Sequence, residues 1–227
     1  MLPVHRRAAR HDVLHVRPLG QIDFSDKDEL YIIGDVIDRG PDGVKLLQRI
    51  LEAHNMGLIL GNHEEMMLKA FRGTKNEQAY YGEIWRANGG YETEWPFMEL
   101  PDDERNAILD TLEKTPDYLD VDAGDTKYRL VHGAWYLDRA SRLWESPDPY
   151  QPARRNDGRR IVVGHTPVMR FYINPHRHLA KCGRHMTLFR CEGFIGIDCG
   201  AGLPANYKKR ALGCLRLDDG AEFYSKL

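Results

Sequence analysis

The chain reads as a mixed α/β (α+β) protein, and three features carry that reading. A strand–helix–strand pattern opens the first half, short buried-strand patterns recur through the second half, and a long polar stretch of helical character lies between them. In both halves the apolar strand runs end on glycine together with a polar or titratable residue, so the chemistry of the chain is concentrated at strand ends.

The first strand is predicted at Leu30-Tyr31-Ile32-Ile33, a run rich in β-branched and aromatic residues, and it hands over to Gly34-Asp35-Val36-Ile37-Asp38-Arg39-Gly40. Val44 to Leu51 places apolar residues at helical spacing and stops at His54-Asn55-Met56-Gly57. A second strand, Gly57-Leu58-Ile59-Leu60, delivers the loop Gly61-Asn62-His63-Glu64, and a helix leaves that loop over Met66 to Phe71. From Gly73 to Asp120 the sequence is rich in aromatics and charge, with breaks at Gly89-Gly90, Pro96, Pro101 and Pro116. It is predicted to be a helical insertion over one edge of the core. Asp102-Asp103-Glu104 before Arg105 to Leu112 marks a helix start, because acidic groups favour the positive end of the helix dipole. Its aromatics, Tyr80, Tyr81, Trp85, Tyr91 and Trp95, are expected to pack the insertion on the core, the alternative being a wall of the substrate groove.

In the second half, Tyr128-Arg129-Leu130-Val131 ends in His132-Gly133, and Arg160-Ile161-Val162-Val163 ends in Gly164-His165-Thr166-Pro167. Glu145 to Arg160, between them, is expected to be surface loop. Phe194 to Ile197 runs into Asp198, and a closing hairpin is predicted for Leu212 to Leu217 and Ala221 to Tyr224 around Asp218-Asp219-Gly220.

Composition narrows the classes. A chain of 227 residues is expected to form a single domain, 1–227. A formal charge of -2 gives no basic field, so nucleic-acid binding is not expected. Cys182, Cys191, Cys199 and Cys214 show no CxxC spacing and are read as reduced thiols of a cytoplasmic protein. No apolar run reaches the length of a membrane span, and no membrane partner is expected. What remains is the strand-end set. Carboxylate, amide oxygen and imidazole together suit a divalent metal, while an arginine beside them suits a phosphate.

In the order GDVIDRG, GNHE, VHG and VGHTP, these segments resemble the phosphoprotein phosphatase branch of the calcineurin-like metallophosphoesterases, in the style of its compact bacterial serine/threonine phosphatases and dinucleoside tetraphosphatases. The resemblance implies a β-sandwich flanked by helices with a two-metal centre at the strand ends. By motif, Asp35 is the carboxylate bridging both metals, and Asn62, His132 and His165 complete the second metal. Manganese is the favoured ion, with iron or zinc also suited to this ligand set. Arg39 is then placed to hold two phosphate oxygens, His63 to protonate the leaving oxygen, and Asp38 to orient His63. Glu64 is read as a structural carboxylate at a helix start. The implied activity is phosphoester hydrolysis by a metal-activated water, on a phosphorylated protein first. Dinucleoside tetraphosphate hydrolysis and a catalytically silent phospho-ligand binder are the alternatives.

The front of the chain departs from the family. Relatives begin with a strand running into Gly-Asp-x-His-Gly, whose Asp and His bind the first metal, and that spacing lands near Arg6 to Arg10. No such motif is present. The first strand is therefore expected to be aberrant or lost over residues 1–20, with Val13-Leu14-His15-Val16 a poor replacement. Three explanations stay open: a displaced reading frame, a diverged protein that binds one metal, or substitute ligands from His5, His11 or Asp12. A second phosphate-binding arginine is also missing, since Leu143-Trp144 is followed by Glu145; Arg139, Arg142, Arg154 and Arg155 are near, with none singled out.

Overall fold

The computed structural model describes residues 3–5, 22, 24–149, 157–172, 186–204 and 206–226. The expectations placed on His11, Asp12, Val13 to Val16, Arg154, Arg155 and Cys182 lie outside the described residues, as does the side chain of His5.

Strands β1 (Pro3–His5), β2 (Leu30–Ile33), β3 (Met56–Ile59), β9 (Ala211–Arg216) and β10 (Glu222–Lys226) form one five-stranded sheet in the order β10-β9-β1-β2-β3. Strands β4 (Tyr118–Ala123), β5 (Thr126–Val131), β6 (Arg160–Val163), β7 (Phe189–Cys191) and β8 (Phe194–Gly196) form the other, in the order β4-β5-β6-β8-β7. The opening strand is present but short, three residues, and sits antiparallel to β2 and parallel to β9. It is formed by Pro3–His5.

The alternation of β2 explains why the sheet is covered on both faces. Ile33 belongs to the cluster between the sheets, with Ile59, Val121, Leu130, Val162, Ile195 and Leu215. Leu30 and Ile32 point the other way, into a cluster formed with the helices. Helix α1 (Gly43–Glu52) buries Val44, Leu47 and Ile50 there, α2 (Asn62–Arg72) buries Met66 and Met67, and α5 (Asp102–Lys114) buries Ile108, Leu109 and Leu112. Apolar residues three and four apart give each helix one buried stripe. β2, α1 and β3 form the predicted strand–helix–strand unit, with β2 and β3 parallel and Ile33 beside Ile59. That register brings the two strand ends, and so the two loops that follow them, side by side.

Between α2 and β4 the chain is helical. Helix α3 (Lys75–Trp85) opens on a capping box in which Glu77 N–H donates to Thr74 and the Glu77 carboxylate accepts the Thr74 N–H. A π-type turn over Arg86–Gly90, broken at Gly89, leads into α4 (Tyr91–Met98), followed by α5. Three boundaries differ from the sequence expectation. The helical stretch ends before Asp120, because Tyr118 to Asp120 belong to β4, whose pairing with β5 outweighs their polar composition. Pro96 lies within α4 rather than ending it; this late in a short helix its ring forfeits one backbone bond. Asn62 and His63 form the first turn of α2 rather than a loop ahead of it. Helix α6 (Arg139–Trp144), which follows His132, and the short α7 (Met169–Tyr172), which follows His165, had no distinct sequence signal.

Candidate metal centre and acid pair

The C-terminal ends of β2, β3, β5 and β6 meet at one rim, two from each sheet, and carry Asp35, Asn62, His132 and His165. The loops there are tight. Gly34, Asp35, Asp38, Arg39 and His165 all have positive φ, between 53° and 67°. For non-glycine residues such backbone costs of order 1–3 kcal/mol and persists only where the surroundings over-determine it. Glu64 supplies much of that determination. Its buried carboxylate accepts the backbone N–H of Val36 at 2.6 Å, Asp35 at 2.8 Å, Gly61 at 3.1 Å and Ile37 at 3.3 Å, tying the two loops together. Glycine is required where they touch: a Cβ at Gly34 would lie 2.5 Å from both the Gly61 Cα and the His132 ring.

The groups around Asp35 face one another at close range. His132 Nδ1–H donates to the Ile33 carbonyl at 2.9 Å, which turns Nε2 toward the cluster. That nitrogen faces Asn62 Oδ1 at 3.0 Å, His165 Nδ1 at 3.2 Å and Asp35 Oδ1 at 3.3 Å. Asn62 Oδ1 in turn is 2.9 Å from His165 Nδ1. Burial, and then the neighbouring His132, push the His165 pKa down to about 4, so the His165 ring is neutral near pH 7. Burial by itself would raise the Asp35 carboxyl, but His132, His63 and His165 pull it below the usual carboxylate range. One carboxylate, one amide oxygen and two imidazole nitrogens thus converge. Such a set is repulsive unless a cation sits in it, and its donor types fit a borderline divalent ion. The His132 N–H bond to a backbone carbonyl is the outer support that metal-binding imidazoles use. Among the described residues, Asp35, His132 and His165 form the one group of at least three His, Cys, Asp or Glu arranged to hold a metal.

Beside this cluster lies the pair predicted from sequence. Asp38 Oδ2 is 2.5 Å from His63 Nδ1, both nearly inaccessible to solvent. The bond fixes the tautomer: Nδ1 carries its proton toward Asp38, and Nε2 turns outward, where the Arg39 guanidinium donates to it at 2.9 Å. Burial lowers the pKa of His63, but Asp35 and Asp38 outweigh it and hold the imidazole above its ordinary value. Two further partners were not legible in the sequence. Trp85 Nε1–H donates to Asp38 Oδ2 at 2.9 Å, and Thr93 Oγ1 donates to Asp38 Oδ1 at 2.6 Å while accepting the Asp38 N–H at 2.8 Å. Trp85 was visible only as one aromatic among several, and nothing in the sequence marked Thr93.

The other sequence candidates separate cleanly. Arg142 is tied to Asp117 at 2.8 Å and to the carbonyls of Tyr136 and Leu137, and Arg139 reaches Glu65 at 3.4 Å, so both are engaged in local structure. Of the aromatics in the helical stretch, Trp85 is fully buried, whereas Tyr80, Tyr91 and Trp95 are exposed. A groove of about 1240 Å³ opens over the site, and its lining includes Arg39, His63, His165, Asp198, Arg170 and Arg210. Asp198 carried a visible signal, since it stands at the end of a buried strand run. Its carboxylate accepts the Gly200 N–H at 2.8 Å, and its charge favours protonation of His165.

Comparison with known proteins bears on the same segments. Residues 6–177 match the family described as calcineurin-like phosphoesterase. Serine/threonine-protein phosphatase 2 of Escherichia coli (strain K12) is 35% identical over 127 residues, covering 52% of this chain and 53% of that protein. A symmetrical bis(5'-nucleosyl)-tetraphosphatase of Delftia acidovorans is 33% identical over 108 residues, covering 47% of this chain and 34% of that protein. The chain thus spans about half the length of the first of these curated relatives and about a third of the second. Among solved structures, the metallophosphoesterase from Sphaerobacter thermophilus has a TM-score of 0.53 at 17% identity, covering 92% of this chain and 80% of that one, a likeness of fold.

Proposed function

From the premise that this chain belongs to the calcineurin-like phosphoesterase family, we propose that it is a metal-dependent phosphoester hydrolase of one domain, acting first on phosphorylated serine or threonine in protein. The observation that carries this reading is the convergence of Asp35, Asn62, His132 and His165 beside a separately mounted Asp38–His63 pair. A divalent ion in that cluster, manganese by preference, supplies Lewis acidity and an acidified water. The rest of the work falls to side chains. Arg39, exposed at the mouth, turns from His63 Nε2 to a phosphate and binds two of its oxygens. Once Arg39 has left, His63 Nε2 takes up a proton from solvent, which the raised pKa of the ring favours, and donates it to the departing oxygen, while Asp38 holds the ring so that this nitrogen faces the groove. His165 stays neutral, and the Nδ1–H bond to the Ile33 carbonyl keeps His132 Nε2 turned inward.

The described residues supply one such cluster, and we read the chain as holding one metal ion there. The groove is roomy enough for a second reading, hydrolysis of a dinucleoside tetraphosphate, which the name of one relative also favours. The two separate on substrate. The manganese-loaded protein is expected to release phosphate from a phosphoserine peptide. Cleavage of diadenosine tetraphosphate with the peptide untouched would favour the second reading, and inertness toward both would leave a phospho-ligand binder.

A further inference from the structure

Asp38 is held from one direction by the residue it orients and from the other by the helical stretch between β3 and β4. Its carboxylate carries three donors: His63 Nδ1 and Trp85 Nε1 on Oδ2, and Thr93 Oγ1 on Oδ1. Thr93 also accepts the Asp38 N–H, closing a two-bond ring around a residue whose φ is 67°. Arg39, next in the chain, has φ 55°, and Gly89 is packed against it so closely that a Cβ there would lie 3.3 Å from Arg39 Cγ and 3.6 Å from Arg39 N. Trp85, Gly89 and Thr93 are four residues apart and enclose both strained residues. Trp85 and Thr93 are fully buried, and Trp85 packs edge-on against Phe71 of α2, the helix that carries His63.

We propose that Trp85 and Thr93 are positioning residues that set the orientation of the His63 imidazole through Asp38, so that the helical stretch is part of the mounting of the acid. Each carboxylate oxygen has its own tether, so Asp38 cannot rotate without losing a bond in a dry environment, where a lost bond is costly. With Asp38 fixed, the ring of His63 has one hydrogen-bonded orientation. The inference rests on the reading of His63 as the acid that protonates the leaving oxygen.

The test uses two phosphate monoesters that differ in their need for that proton. Phenyl phosphate leaves as a strongly basic phenolate, whereas 2,4-dinitrophenyl phosphate leaves as a weakly basic one. Thr93→Val keeps the shape and removes both hydroxyl bonds. With phenyl phosphate its kcat is expected to fall roughly 10-fold to 100-fold, with KM and the dinitrophenyl ester changed by less than about twofold. Thr93→Ser should restore the rate. Trp85→Phe, which keeps the ring and loses the N–H, should show the same substrate asymmetry to a smaller degree and serves if Thr93→Val does not fold. A second readout needs no turnover: the His63 Nδ1–H proton resonance, identified by its loss in His63→Asn, should move in Thr93→Val and Trp85→Phe and stay in Thr93→Ser. Equal losses on both esters, or an unmoved resonance, would overturn the proposal. If the unaltered protein hydrolyses neither ester, the hydrolase reading fails, while the resonance still decides the positioning roles.

Discussion

The cluster around Asp35 and the pair Asp38–His63 lie a few residues apart in the chain, yet they are held by opposite means. Around Asp35 the groups stand just beyond strand ends, Asn62 in the first turn of α2 after β3, and the sheets do the positioning: β2 with β3, β5 with β6, and His132 bonded back to the end of β2. The acid pair is delivered by a strained loop and the first turn of a helix, and its positioning comes from Trp85 and Thr93. The difference teaches that one site can have two supports, joined here by Glu64 and by the His63 N–H, which donates to Asp35 Oδ1 at 3.2 Å. On the proposed reading, the sheet rim sets the place of the ion and the helical stretch sets the direction of the proton donor.

The comparison is broken most forcefully from the metal side. Asp35→Asn removes the single anion of the cluster, and we expect dialysed protein to lose its bound divalent ion by elemental analysis. Turnover should fall to background, beyond the roughly 100-fold to 10,000-fold expected for loss of an acid. The His63 Nδ1–H resonance should survive; its disappearance would show that the two supports are one. The complementary change is His63→Asn, which should leave the ion bound while turnover drops about 100-fold to 10,000-fold. Full activity in that variant would remove His63 from the mechanism, and loss of the ion would again merge the two halves. A smaller effect sharpens the picture at the joint. Glu64 accepts N–H groups from both loops, and burial together with the Asp35 charge pushes its carboxyl pKa up. Glu64→Gln turns an amide N–H against those donors and is expected to cost about 2–4 kcal/mol in urea unfolding, with metal affinity and turnover weakened together. If only one of the two suffers, Glu64 serves one loop and the joint lies elsewhere.

Much of the first support was legible in the sequence. Leu30 to Ile33, Gly57 to Leu60, Tyr128 to Val131 and Arg160 to Val163 announce themselves as strands by local composition, and glycine with a polar residue after each announces its end. Asp35, Asn62, His132 and His165 could therefore be picked out with their neighbours alone. Boundaries were less visible. The helix carrying Asn62 and His63 begins at Asn62, because Glu64 caps the Gly61 N–H and starts the turn earlier than the apolar pattern of Met66 to Phe71 suggests. Strand β4 was hidden in a charged segment, since an edge strand with one covered face needs few apolar residues, here Val121 and Ala123. The second support was not legible. Trp85 and Thr93 stand 47 and 55 residues from Asp38, and no periodicity or motif links them.

What the sequence determined by itself was the family, the strand-end residues and the chemistry they favour, because a polar residue set after a buried strand is fixed by local pattern and by the alternation of the strand. What the tertiary structure decided was the register that brings four strand ends to one rim, the assignment of Arg139 and Arg142 to local ion pairs, and the burial of Trp85 and Thr93 against Asp38. Those depend on contacts between residues far apart in the chain, whose pairing is chosen by the packing of whole helices and sheets rather than by any residue's immediate neighbours.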